Sequence, residues 1–213
     1  MAEKWIWFPD FVSDLSLWED DLVSVSPAAN HSFVPYAEMA SCLDNLYKIN
    51  GLSKATHVVG WGLGAFALLH AASHHPQGQK WILLAPFADF GSEESNWTSQ
   101  NLHFMAKQAH TSLSVVLNAF EELVQEEFGD WQEDWMAAAA KMPPDAIGAG
   151  LNFLADNRIE SEIPIDPSDI QVLYGRLDQA VPPAMTLELK EFLPGVEFRE
   201  RPKAGHWPPM LLF

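Results

Sequence analysis

The sequence predicts an α/β protein with a mostly parallel sheet flanked by helices and a helical lid insertion. Two observations carry this. Short, nearly continuous apolar runs alternate with helical patterns, as in strands buried on both faces. Residues 96–157, rich in Glu, Ala, Trp and Met, contain no strand-like run.

Trp5-Ile6-Trp7-Phe8 reads as the first strand, and Leu22-Val23-Ser24-Val25 as a second. Met39, Leu43, Leu46 and Tyr47 have helical spacing within 36–49. Thr56-His57-Val58-Val59 is a strand that runs into a glycine-rich turn, and a helix follows from Leu63 to Ser73. Trp81 to Ala85, Ile170 to Tyr174 and Val196 to Phe198 are further strands. Pro182-Pro183 opens a helix over 184–192. The organisation is therefore a core in two parts, 1–95 and 158–213, with the insertion 96–157 between them.

Composition narrows the function classes. A net charge of −17 repels phosphate backbones and anionic surfaces, which argues against nucleic acid and membrane partners. No stretch reaches the ~20 apolar residues of a membrane span. Residues 1–8 carry Glu3 and Lys4 and do not read as a signal peptide. The lone Cys42 reads as a buried small hydrophobe and fits a reducing compartment, so the expected location is cytoplasmic. His70, His74 and His75 cluster at a helix end without a carboxylate or cysteine at ligand spacing. Neither a metal nor a cofactor is expected.

Three stretches point to chemistry. Val58-Val59-Gly60-Trp61-Gly62-Leu63-Gly64 joins a strand to a helix through G-x-G-x-G, where a nucleophile elbow has G-x-S-x-G. The alternative is a plain glycine-rich turn, but the third glycine of a dinucleotide site is missing. Asp178 follows a strand in Tyr174-Gly175-Arg176-Leu177-Asp178, where a triad acid or a turn aspartate would sit. His206 lies on a loop after the last strand, in Ala204-Gly205-His206-Trp207-Pro208. Elbow, acid and histidine come in the chain order of α/β-hydrolases.

These segments resemble the pimeloyl-[acyl-carrier protein] methyl ester esterases, the carboxylesterases of biotin biosynthesis. Gly60-Trp61-Gly62-Leu63-Gly64 is similar to that group's G-W-S-L-G, the Asp178 segment to L-Y-G-x-L-D-x-x-V-P, and Lys203 to Pro208 to K-A-x-H-x-P. The resemblance implies an α/β-hydrolase fold, Asp178 as acid, His206 as base and position 62 as nucleophile. It implies backbone donors at Phe11 and Leu63 for the oxyanion hole, and Trp61 and Trp207 lining the substrate pocket. It also implies a small acyl or ester ligand and an acyl carrier protein as partner.

The sequence departs from that pattern in four places. Gly62 has no hydroxyl, so no acyl-enzyme can form there. Pro9-Asp10 stands where relatives have His-Gly, and a carboxylate there is tolerable beside an oxyanion only if Asp10 points away. The insertion carries Glu121, Glu122, Glu126, Glu127, Asp130, Glu133 and Asp134, which oppose an acidic carrier protein. The chain ends soon after His206, so the usual last helix is expected to be missing and one sheet face less covered. Three readings follow: an esterase inactivated at position 62, a naturally serine-less ligand-binding or partner protein, or a His206–Asp178 dyad that activates water.

Overall fold

The computed structural model describes residues 2–92 and 94–213, with the backbone alone for Gln125 and Glu126. The Met1 of the leader reading and the side chain of Glu126 in the lid reading lie outside the described residues. Six strands, β1 (Lys4–Phe8), β2 (Asn30–Phe33), β3 (His57–Trp61), β4 (Lys80–Leu84), β5 (Ile170–Gly175) and β6 (Glu197–Arg201), form one sheet in the order β2-β1-β3-β4-β5-β6. Every neighbouring pair is parallel. The central strands are buried on both faces, which is why they read as unbroken apolar runs.

Strand order reverses at β1, whose partners are β2 and β3. In open α/β sheets a ligand crevice forms at such a switch point, beyond the carboxyl ends of the strands. Phe8 pairs with Gly60 across β1 and β3. The chains leaving these two strands therefore bring residues 10 and 62 side by side.

The segment read as a second strand is instead the end of a helix and a turn: α1 spans Glu19–Val23, and Ser24 and Val25 lie in the turn after it. Trp18 and Leu22, four residues apart, share a buried face, and Glu19, Asp20 and Asp21 favour the helix amino end. The true β2 is the polar Asn-His-Ser-Phe at the sheet edge, which no apolar run marks. The helix expected over 36–49 is only α2 (Tyr36–Ala40), followed by turns and a 3₁₀ turn at Leu46–Lys48. The Asn45 side chain accepts the N–H of Tyr47 and restarts the chain there. Cys42 is half-buried, not buried.

Helix α3 (Leu63–His70) leaves the elbow and is buried along almost its whole length. The insertion forms α4 (Ser99–Gln108), α5 (Leu113–Phe128), α6 (Gln132–Ala139) and α7 (Pro144–Asp156). The helix expected over 184–192 divides into α8 (Pro183–Glu188) and a 3₁₀ turn. The C-terminus is not bare: α9 (Pro208–Leu212) packs on β4 and β5 with Leu211 fully buried. Arg201 donates to the Leu211 and Leu212 carbonyls and closes that helix.

Candidate functional site

The turn after β3 has elbow geometry. Gly62 has φ +50° and ψ −113°, a conformation that favours glycine. The flanking glycines are required by contact. A Cβ on Gly60 would lie 2.7 Å from the Ala65 Cα, and one on Gly64 2.7 Å from the Phe8 and Pro9 carbonyl oxygens.

The sequence reading left the direction of Asp10 open, and the structure turns it inward. A Cβ built on Gly62 would overlap the Asp10 carboxylate. Asp10 Oδ1 accepts the N–H of Leu63 at 2.6 Å, so this expected oxyanion donor is already engaged. Asp10 Oδ2 lies 2.8 Å from His206 Nε2. On the other side of the ring, His206 Nδ1 is 2.7 Å from Asp178 Oδ2. Asp178 Oδ1 accepts the Val181 N–H at 2.7 Å, which fixes the acid on its loop.

His206 is thus clamped between two carboxylates, with 1% of its surface exposed. Burial disfavours its charge. The charge of Asp178, the hydrogen bonds to Asp10 and Asp178 and the charge of Asp10 outweigh burial, and its pKa lies well above the usual histidine value. A carboxylate at each nitrogen favours the charged ring, in which both nitrogens donate. Its backbone is held as well. Trp61 Nε1 donates to the His206 carbonyl at 3.0 Å, and Glu127 from α5 accepts the N–H groups of His206 and, at 3.1 Å, Trp207.

The space beside this triad is small. A cavity of about 20 Å³ remains between Asp10, His206 and the aromatic side chains of Phe11, Phe120, Phe128 and Trp135. That holds about one water molecule, against the ~300 Å³ or more of a small-ligand pocket. Trp61 borders this cavity. Trp207 instead lines a separate outer groove of about 660 Å³. Phe11 turns its ring onto Tyr36 and Phe120, and its carbonyl accepts Ser13 Oγ.

The family model described as alpha/beta hydrolase fold matches residues 23–211. The chain belongs to the α/β-hydrolase family. A pimeloyl-[acyl-carrier protein] methyl ester esterase of Vibrio vulnificus is 27% identical over 172 residues, 70% of this chain and 62% of that protein's length. Its counterpart from Vibrio campbellii is 27% identical over 206 residues, 86% of this chain and 76% of the relative. Among solved structures, a thermophilic esterase from Thermogutta terrifontis superposes with a TM-score of 0.73 at 18% identity, covering 99% of this chain and 85% of that one. An esterase from Exiguobacterium antarcticum superposes at 0.72 and 14%, covering 96% and 85%.

This hydrolase-fold chain brings together Gly62, Leu63, Asp178, His206 and Trp61, all named from sequence. Asp10 and Glu127 were read only as departures from the esterase pattern, not as site residues. The two departures, Gly at 62 and Asp at 10, fall just beyond the ends of strands that pair. Among the described residues no group of three acidic, His or Cys side chains is placed to hold a metal, and no helix is long and apolar enough to cross a membrane.

Proposed function

We propose that this chain is a non-hydrolysing relative of the carboxylesterases, in which an internal ion triad has replaced serine chemistry and the domain serves as a ligand-binding or partner protein. The observation that carries the reading is the Asp10 carboxylate in the space a residue-62 side chain would need. A serine simply deleted at 62 would leave a hole; here another loop fills it, and the two departures complement each other. An imidazolium cannot take a proton from a nucleophile, and the same fact counts against water activation by the dyad. The similarity to pimeloyl-[acyl-carrier protein] methyl ester esterases supports descent from an acyl-ester enzyme. The lid's carboxylates oppose docking of an acidic carrier protein.

Turnover of short-chain p-nitrophenyl esters and labelling by a fluorophosphonate test the proposal. The chain itself and Gly62→Ser alone are expected to be inert, since Asp10 still blocks the site. Asp10→Gly combined with Gly62→Ser frees the imidazole and is expected to label at residue 62. A product burst from the unaltered chain that His206→Ala abolishes would overturn the proposal.

A further inference from the structure

The inner cavity and the outer groove lie back to back. Three segments separate them, each giving neighbouring residues to both sides. Helix α5 sends Val124 and Phe128 inward and Leu123 and Glu127 outward. The loop after β5 gives Ala180 and Gln179, and the loop after β6 gives His206 and Gly205, in the same inner and outer order. A shift of α5 away from the two loops would therefore merge the small cavity with the groove.

Among the described residues, Glu127 joins α5 to the histidine loop at this seam. The Glu127 carboxylate accepts the backbone N–H groups of His206 and Trp207. It reaches them only because residue 205 is glycine; a Cβ there would overlap the carboxylate. We propose that Glu127 is the latch of the lid: ionised, it holds α5 on the histidine loop and keeps the triad apart from the groove, and once it gains a proton or is replaced, α5 lifts and the two cavities join. This goes beyond the functional reading and holds whether or not the triad turns over esters.

The surroundings make the latch sensitive to mild acid. Burial raises the Glu127 pKa; the His206 charge lowers it, Asp178 raises it, and the two N–H groups lower it, with a net shift upward. Other charged groups on the packed elements are Lys203 on the histidine loop, Asp10 beyond the imidazolium, and Glu122 on α5 itself. Asp10 and Asp178 hold His206 charged on the far side of the contact, so the latch is the group whose proton uptake breaks a bond between lid and core.

Amide hydrogen exchange on the full chain tests this without a ligand. After correction for intrinsic rates, protection of the His206 and Trp207 amides is expected to fall about tenfold from about pH 7 to about pH 4.5, the loss of one charge-assisted acceptor. In Glu127→Gln and Glu127→Ala it is expected to be low at both pH values, while Val58 and Val59 in the sheet stay protected and report an intact fold. Unchanged protection in the wild type across this range would overturn the latch. So would a pH step that persists in Glu127→Gln.

Discussion

Two loops bring a carboxylate to the same imidazole. The loop after β5 places Asp178 2.7 Å from Nδ1, and the loop after β1 places Asp10 2.8 Å from Nε2. The first is where the fold keeps an acid; the second is where it keeps a nucleophile's neighbour. Asp178 is buried and tied to Val181 on its own loop, whereas Asp10 is 18% exposed and tied to another strand's turn through Leu63. The distances are alike, but one acid orients the ring and the other closes the site. A triad is therefore defined by what stands on both sides of the histidine, not by the histidine–acid pair alone.

Removing either acid measures the difference. The largest effect is expected from Asp178→Ala, which leaves a buried imidazolium short of its best-shielded partner; the loss is about 3–5 kcal/mol by urea denaturation. Asp10→Ala removes a partly exposed carboxylate and is expected to cost about 1.5–3 kcal/mol. Added acetate should restore part of the Asp10→Ala loss and little of the Asp178→Ala loss, because only the first opens toward the cavity. Equal losses in the two variants would erase the distinction.

The pH dependence sharpens the same contrast. The folded His206 pKa lies above its unfolded value near ~6.5, so its contribution is complete below that value and declines as pH rises through the folded pKa. The melting temperature of the unaltered chain is expected to fall on the alkaline side of neutrality, and less so in Asp178→Ala. The smallest effect is expected at the lid. Trp135 Nε1 donates to Ser13 Oγ at 3.1 Å and ties α6 to the Asp10 loop, so Ser13→Ala should cost about 1 kcal/mol. That variant should loosen the Asp10 loop in hydrogen exchange and leave the Asp178 loop unchanged.

The most legible strands are those buried on both faces, where Trp5 to Phe8, Val58-Val59 and Leu83-Leu84 are apolar without interruption; the edge strand β6 was marked only by Val196 and Phe198. The edge strand β2 escaped notice because an edge need not be apolar, and the apolar Leu22 that drew attention belongs to a helix. Within the site, Asp178 and His206 were legible because their motifs are local and their order along the chain is diagnostic. Asp10 was legible only as an oddity. Its direction depends on a neighbour 52 residues away in the chain, and no local pattern records such a pair.

The sequence by itself determined the parallel α/β sheet, the helical insertion, the strand-to-helix bend at Gly62 and the loops that carry Asp178 and His206. Each follows from spacing and side-chain type along a short segment. Only the tertiary structure decided that Asp10 turns inward, that the histidine is held charged and that Glu127 fastens α5 beside it. The register of β1 on β3 sets residue 10 against residue 62, and the two carboxylates, working against burial, raise the pKa of the ring. Both are consequences of distant segments meeting in space, where electrostatic energy depends on distance and solvent exposure, not on separation along the chain.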